Sequence, residues 1–482
     1  MHLLSVLKVV GALMMVLGGA QLVPMAVSLL YGEGDWPVFL ASALAVLAAG
    51  GFLFTISRNA SEISVRDGFA VVTFSWIAAA IAGALPYYFS GAVATFTDAM
   101  FESMSGFTTT GASVLTDFAV LSHGILLWRS MTQWFGGMGI IVLALVILPA
   151  LGIGGMQLYR RESPGPDSDK ITPRIRDTAK ALWAIYLLLT VSEALALYIL
   201  GMTPFEAVNH SLTTVATGGF STRADSIGGF DSAAIEWTLI GFMLFGGMNF
   251  TLHYRLFAKP GQRWGYFGNL EWWWFVSAVA IASLSVIAYL FFKQGYALSE
   301  ALTKGVFQVV SLATSSGFVS DDYVRWGAFP QILLVIMMLG GGCAGSTSGG
   351  IKWLRILLMF KNIRLQLLRL VHPHVVVQVK INHAVVTRDI QRNIYAFVSL
   401  FFITLGVLTL LISLDGHSML TSIGAAVSAL ANIGPGLDAV GPTDTYFPLS
   451  TYVKWLMIVG MLLGRLELMT VFMLMLPFTW RR

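Results

Sequence analysis

Residues 95–111, TFTDAMFESMSGFTTTG, form a short stretch that runs into a glycine-centred segment. The short stretch itself lies near 95–107, and similar short stretches lie near 203–214, 299–313 and 418–430. Each is too short to cross a bilayer, which takes about 20 helical residues. Non-helical backbone at membrane depth persists only where it lines a cavity or is buried in protein. The pattern predicts four re-entrant pore helices, each followed by a loop.

The four loops can be aligned by hand. They read Thr108-Thr109-Thr110-Gly111, Val215-Ala216-Thr217-Gly218, Thr314-Ser315-Ser316-Gly317 and Ala431-Asn432-Ile433-Gly434. A recurrence of about 100 residues with one order of elements predicts internal repeats, which are common in membrane transport folds.

These loops suit the binding of a dehydrated monovalent cation. Rings of backbone carbonyls replace its hydration shell, and glycine tolerates the dihedral angles that turn carbonyls towards one axis. The helix before each loop aims its partially negative C-terminal end at the ion. The alternative is four helix-breaking turns, but the repeated placement favours a selectivity filter formed by all sixteen residues.

The rest of the chain has the composition of a membrane protein. It has 482 residues, of which 56% are hydrophobic and 11% charged, against roughly 25% charged in soluble chains. Apolar runs long enough to span a bilayer lie near 6–31, 37–57, 68–90, 125–155, 178–200, 233–257, 271–293, 328–360, 391–414 and 449–477. We predict an all-α integral membrane fold with ten spans and four pore helices.

The spans and loops group into an N-terminal extension and four span–loop–span repeats. The predicted units are a two-span hairpin at 1–67 and pore repeats at 68–160, 161–262, 263–365 and 366–482. We expect the four repeats to surround one pore.

Basic residues test this topology independently. With the N-terminus in the cytoplasm, most of the 29 Lys and Arg residues fall on the inner side. Four of the exceptions lie on the outer side, namely Arg223, Lys293, Lys304 and Arg325. The other three lie within or beside spans, namely Arg129, Lys454 and Arg465. This asymmetry follows the positive-inside rule and predicts that both termini are cytoplasmic.

Each repeat also carries glycine in its second span, at Gly136-Gly137, Gly246-Gly247, Gly340–Gly342 and Gly464. Close helix packing explains the first two. The third run is Gly340-Gly341-Gly342-Cys343-Ala344-Gly345-Ser346-Thr347-Ser348-Gly349-Gly350. A helix there would cost roughly 1 kcal/mol per glycine, so we predict an unwound segment that acts as a gate. It lacks the lysine of a phosphate-binding loop.

Arg465 lies inside the last span, beside Gly464. A buried charge in a span is expensive and is a functional candidate. We predict that it repels permeating cations at the pore axis and belongs to the gate. A structural pair with Glu467 or another buried acid is the alternative.

Taken together, the four loops, the Gly340–Gly350 run, Gly464-Arg465-Leu466-Glu467 and the stretch Gln133–Gly139 resemble the Trk/Ktr/HKT superfamily of potassium transporters, and specifically its bacterial TrkH branch. The resemblance implies a homodimer in the bacterial inner membrane, with one pore per subunit. It also implies a cytoplasmic TrkA-type nucleotide-binding ring as regulatory partner, and no cofactor on this chain. Gly111, where sodium-preferring plant relatives carry serine, implies potassium. Ser315-Ser316 departs from the Thr-Ala of relatives.

Three other functional classes can be compared with the sequence. A symporter coupling potassium to sodium or protons needs ionisable groups at mid-membrane, for which Glu193 and Glu467 are the candidates. A membrane sensor with a vestigial pore is disfavoured by glycine in all four loops. No catalytic constellation or nucleic-acid-binding feature occurs, so we expect no enzyme. The basic segment Lys352–Arg392, whose histidines could alternatively bind a metal, and the loop Arg160–Lys180 are candidate docking surfaces.

Overall fold

The computed structural model describes residues 2–58, 60, 65–146, 171–258, 267–374, 377–382 and 384–480. This part of the chain is almost entirely α-helical. The helices are α1 Leu3–Ala20, α2 Leu22–Leu30, α3 Trp36–Ile56, α4 Val65–Phe89, α5 Phe96–Phe107, α6 His123–Val146, α7 Ile171–Ile199, α8 Pro204–Val215, α9 Ala233–Gly247, α10 Phe250–Ala258, α11 Leu270–Tyr289, α12 Leu298–Ala313, α13 Ala328–Gly340, α14 Trp353–Val371, α15 Arg388–Ser413, α16 Met419–Ala431, α17 Thr451–Arg465, α18 Met469–Met475 and α19 Pro477–Trp480. A two-stranded antiparallel ribbon joins Lys380–Ile381 (β1) to Ala384–Val385 (β2).

The N-terminal hairpin is held by two facing glycines. A Cβ on Gly11 of α1 would lie 2.7 Å from the carbonyl oxygen of Gly50 on α3, and a Cβ on Gly50 would lie 2.8 Å from that of Gly11. Only glycine permits this approach of two helix backbones, which is how helices pack closely in a bilayer.

Within the described residues, six helical segments are long and apolar enough to cross a membrane: Leu3–Leu30, Trp36–Ile56, Asp67–Phe89, Asp177–Ile199, Leu270–Gln294 and Arg388–Ser413. Two further pairs of helices, each bent at a short break, could also cross the membrane, which would raise the number of spans to eight among the described residues. The pair α9 and α10 is bent by 101°, and the pair α17 and α18 by 113°. The chain is therefore a multi-pass membrane protein.

Three predicted spans are not the continuous helices that the apolar runs suggested. The runs 233–257 and 449–477 are the bent pairs, because each contains a short non-helical break. The run 328–360 is interrupted, since α13 ends at Gly340 and α14 begins at Trp353. The run 125–155 continues beyond the described part of α6. The count of ten spans and the repeat boundaries stay predictions.

The four short helices α5, α8, α12 and α16 coincide with the predicted pore helices. Every residue of α5 from Asp98 to Phe107 is buried, as is nearly all of α16 from Thr421 onwards. Their first turns carry side-chain caps where Thr95 accepts from the Asp98 amide, Thr203 from the Glu206 amide and Ser418 from the Thr421 amide. Capping fixes where these three helices begin, whereas α12, which follows Ala297, has no side-chain cap.

Candidate ion pore and gate

The four pore helices end in the same way. In each, a residue in the left-handed region closes the helix, and the next amide donates to the carbonyl five residues back, which is a Schellman arrangement. The left-handed residues are Thr109, Thr217, Ser315 and Asn432, with φ between 52° and 57°. The donated bonds are Thr110 N to Ser105 O, Gly218 N to Thr213 O, Ser316 N to Ser311 O and Ile433 N to Ser428 O, at 2.8 to 3.1 Å.

Two residues after each left-handed residue stands a glycine of positive φ. These glycines are Gly111, Gly219, Gly317 and Gly434, with φ of 86°, 80°, 73° and 100°. The second member is Gly219, whereas the sequence alignment had placed Gly218 there. The structural equivalent of Thr108–Gly111 is therefore Ala216–Gly219, and Val215 is the last residue of α8. Because Gly218 and Gly219 are adjacent, the sequence of the loop could not decide which one is equivalent to Gly111. The left-handed residue at the end of each helix decides it, since Gly219 stands two residues after Thr217 as Gly111 does after Thr109.

The four glycines form a closed ring. Each glycine of positive φ lies against the carbonyl oxygen of the preceding position in the next repeat. An added Cβ would lie 2.1 Å from Gly218 O at Gly111, 2.1 Å from Ser316 O at Gly219, 1.8 Å from Ile433 O at Gly317 and 2.8 Å from Thr110 O at Gly434. The contacts run from repeat to repeat and return to the first. The structure thus brings all four predicted loops together around one centre.

Side chains of the pore helices brace the loops from behind, and sequence reasoning did not identify them. Nine residues before the ring glycines stand Glu102, His210 and Gln308 in the first three repeats. Oε2 of Glu102 accepts from the Val114 amide at 3.1 Å, and Oε1 of Gln308 accepts from the Ser320 amide at 3.2 Å. Nε2 of His210 is 3.0 Å from Ser221 Oγ. The common spacing is a signal that becomes visible only in the register that places Gly219 in the ring.

The fourth repeat has Ala425 at this position and is braced differently. The Tyr446 hydroxyl donates to the Gly434 carbonyl at 2.7 Å, and Ser428 Oγ donates to the same oxygen. The ring is therefore not chemically fourfold although its backbone is.

A fully buried ion pair joins the first and second loops. Nε of Arg129 on α6 lies 2.7 Å from Oε1 of Glu102, and the two side chains are 2% and 0% exposed. The guanidinium also donates to the Ser221 carbonyl at 3.0 Å and lies 3.9 Å from the centre of the Phe220 ring. A buried pair of this kind is stable only when its remaining donors and acceptors are satisfied, as they are here.

The segment Gly341–Lys352 is non-helical, as the glycine run predicted, and it packs against the loops. Thr347 Oγ1 is 3.1 Å from the carbonyl oxygens of Val215 and Gly246 and 3.2 Å from Thr217 Oγ1. The Gly349 amide donates to Ser315 Oγ at 3.2 Å. We call Gly341–Lys352 the intramembrane loop. Its contacts with two of the left-handed loop residues place it directly beside the ring.

Arg465 is buried and holds this intramembrane loop to the first repeat. One terminal nitrogen of its guanidinium donates to the Thr347 carbonyl at 2.7 Å, and the other donates to the Gly136 carbonyl at 3.2 Å. Glu467 is instead paired with Arg355 of α14. The alternative of a structural pair between Arg465 and Glu467 is therefore wrong; the guanidinium binds backbone carbonyls of two other repeats.

The remaining predicted candidates are placed as follows. Glu193 of α7 is fully buried, and neither carboxylate oxygen has a hydrogen-bond partner among the described residues. In the part of the chain that the structure describes, no three His, Cys, Asp or Glu residues are grouped to hold a metal ion. His383 and most of the predicted docking loop Arg160–Lys180 lie outside the described residues. The buried Cys343 lies in the intramembrane loop.

A ring of four loops in one multi-pass helical chain, each loop preceded by a short buried helix, with an unwound segment and a buried arginine against it, is the architecture of a membrane transport protein. The family model for the cation transport protein TrkH matches residues 37–480, and the chain belongs to that family.

Several named proteins are similar in sequence to this chain along its whole length. It is 41% identical to the Trk system potassium uptake protein TrkH of Escherichia coli strain K12, covering 100% of both. It is 34% identical to the Trk system potassium uptake protein TrkG of the same strain, covering 100% of this chain and 99% of the relative. The crystal structure of the potassium transporter TrkH from Vibrio parahaemolyticus matches with a TM-score of 0.92 at 37% identity, covering 100% of both chains. The family comprises transport proteins rather than enzymes.

Proposed function

We propose that this protein mediates potassium uptake across the bacterial inner membrane through a channel-like pore with a four-loop selectivity filter. The observation that carries the proposal is the ring in which Gly111, Gly219, Gly317 and Gly434 each face a carbonyl of the next repeat. The choice of potassium as the transported ion comes from the potassium uptake proteins to which the chain is similar.

The filter ligands would be backbone carbonyls rather than side chains. Four loops around one axis can surround a dehydrated ion with oxygens, which is how potassium filters bind their ion. The proposed ligands are the carbonyls of Thr108–Gly111, Ala216–Gly219, Thr314–Gly317 and Ala431–Gly434. No cofactor is needed for this chemistry, and potassium is the substrate.

The intramembrane loop and Arg465 are the proposed gate. The loop lies beside the ring, and the guanidinium ties it to the first repeat through Thr347 and Gly136. A buried positive charge next to a cation path opposes permeation. Opening would require the intramembrane loop to break its contacts with Thr217 and Ser315. We propose that a cytoplasmic nucleotide-binding ring drives this motion. We further propose that the protein is a homodimer with one pore per subunit and with both termini in the cytoplasm.

Flux into proteoliposomes tests the proposal. We expect tracer potassium to enter down its own gradient with no sodium or proton gradient, and to exceed sodium entry under matched conditions. The Arg465→Met variant is assayed in parallel so that a closed gate is not mistaken for a missing pore. Equal potassium and sodium entry in both proteins contradicts a selective filter.

One observation favours a coupled symporter as second candidate. Glu193 is a carboxyl group buried in a spanning helix, and neither of its oxygens has a partner in the part of the chain that the structure describes. Mid-membrane carboxyl groups of this kind mark proton and ion relays. Potassium entry that requires an accompanying sodium or proton gradient, and loses this requirement in Glu193→Gln, supports the symporter. Potassium entry driven by its own gradient in both proteins excludes it.

A further inference from the structure

Gln133 is a fully buried glutamine on α6 whose carboxamide holds the second loop on both sides of Gly219. Its Nε2 donates to the Gly218 carbonyl at 2.7 Å, and its Oε1 accepts from the Phe220 amide at 3.1 Å. The two bonds together fix the orientation of the amide, since only nitrogen can donate and only oxygen can accept. A side chain thus grips the backbone on both sides of the ring glycine Gly219.

The Gly218 carbonyl is one of the four that form the ring, because it faces Gly111. The equivalent carbonyls belong to Thr110, Ser316 and Ile433. Within the described residues, no side chain donates a hydrogen bond to any of these three. One of the four ring carbonyls is therefore fixed by a side-chain donor and the others are not.

The equivalent positions of other repeats show that Gln133 is special to the first. Gly136 and Gly464 each lie against the carbonyl two residues before a left-handed residue, at Phe107 and Leu430, where an added Cβ would be 2.1 Å from the oxygen in each case. Three residues before them stand Gln133 and Met461. Met243 stands three residues before Gly246, which faces the Val215 carbonyl, and both methionines are fully buried.

We propose that Gln133 is a positioning residue that sets the choice between potassium and sodium by fixing the Gly218 carbonyl. A carbonyl that accepts a hydrogen bond from a buried side chain moves less readily towards the axis, and a filter whose oxygens cannot close in is poorly matched to the smaller sodium ion. The inference rests on the proposed function, because it assumes that the ring binds the transported ion.

The direct test is the ratio of potassium to sodium permeability in proteoliposomes for Gln133→Met, which gives the first repeat the side chain found at Met461. Losing the donated bond is expected to lower the ratio about fivefold, the factor that corresponds to about 1 kcal/mol for one hydrogen bond. Gln21→Met is the matched control, since Gln21, between α1 and α2, is also fully buried and donates to a backbone carbonyl, that of Ala82 on α4, at 3.0 Å. The control should keep the wild-type ratio.

A wild-type ratio in Gln133→Met overturns the inference, as does an equal fall in Gln21→Met. Gln133→Asn, which retains the amide but is one methylene shorter, provides a second variant if the methionine protein does not fold; an unchanged ratio in it is equally contradictory.

A second readout separates this inference from the proposed function. The thermal unfolding midpoint is measured in potassium and in sodium salts of equal concentration, without any flux. We expect potassium to stabilise the wild type more than sodium does, and this difference to shrink in Gln133→Met. Absence of any potassium preference in the wild type refutes the proposed function itself, whereas a preference that Gln133→Met fully retains refutes only the role of Gln133.

Discussion

Two threonines, a serine and an asparagine occupy the left-handed position that closes the pore helices. For non-glycine residues this conformation costs about 1–2 kcal/mol, and three of the four side chains have contacts that offset the cost. Thr217 Oγ1 contacts Thr347, Ser315 Oγ accepts from the Gly349 amide, and the Asn432 amide donates to Thr110 and Met461. The residues that close the helices in the second and third repeats therefore also hold the intramembrane loop.

The register of the second loop can be tested at single residues. Gly219→Ala places a side chain at φ of 80° and 2.1 Å from the Ser316 carbonyl oxygen, so we expect it to abolish potassium flux. Gly218→Ala meets only the end of the Gln133 side chain, which can shift, and should retain measurable flux with reduced selectivity. Tracer uptake in proteoliposomes compares the two. A more severe loss in Gly218→Ala than in Gly219→Ala would restore the register of the sequence alignment.

Arg465 is expected to restrain the gate. Arg465→Met removes the bonds to the Thr347 and Gly136 carbonyls together with the buried charge. Hydrogen bonds from a charged donor contribute about 1.5–3 kcal/mol each, so potassium flux should rise at least about tenfold. Arg325→Met, at an outer arginine whose side chain is 84% exposed, is the control. Flux in Arg465→Met at or below the wild-type rate contradicts a restraining role.

At the scale of elements, the pore helices depend on what braces them. Arg129 on α6 and Glu102 on α5 form a buried pair that also binds Ser113 and Ser221 of two loops. Removing one partner leaves the other charge buried and uncompensated, which costs about 3–5 kcal/mol. We therefore expect Arg129→Met to lower the unfolding midpoint strongly, and the double variant Glu102→Gln, Arg129→Met to recover part of the loss. A double variant less stable than Arg129→Met contradicts this account.

The elements that could be predicted from the sequence are those that a local pattern dictates. Four short apolar stretches before glycine predicted the four short helices, and six glycines in eleven residues predicted the unwound segment after Gly340. The bends within 233–257 and 449–477 could not be predicted, because hydropathy gives the length of an apolar segment and not the direction of its helix axis. The choice between Gly218 and Gly219, and the bracing by Glu102, Arg129 and Gln133, depend on contacts between repeats that are distant in sequence.

At the scale of the whole molecule, the repeats enclose a centre because the ring contacts pass from each repeat to the next and back to the first. The exterior is apolar, with Leu30, Ile199 and Phe292 each at least 77% exposed. Such a surface is stable only in lipid. The chain therefore presents fixed backbone oxygens inside and hydrocarbon outside, which is the arrangement that a transmembrane ion path requires.

The predicted orientation follows from the basic residues and can be tested because Cys343 is the single cysteine and is buried. In a Cys343→Ala background, Arg325→Cys and Arg392→Cys place cysteines at side chains that are 84% and 79% exposed. A membrane-impermeant maleimide should label the first in intact cells and the second only after permeabilisation. The reverse pattern would invert the topology.

The most direct test of the central claim is anomalous scattering from crystals grown in rubidium, which replaces potassium in carbonyl filters. The account predicts density on the axis of the ring formed by the loops at Gly111, Gly219, Gly317 and Gly434, and its loss when sodium replaces rubidium. Rubidium bound only elsewhere in the protein, with none at the ring, would contradict it.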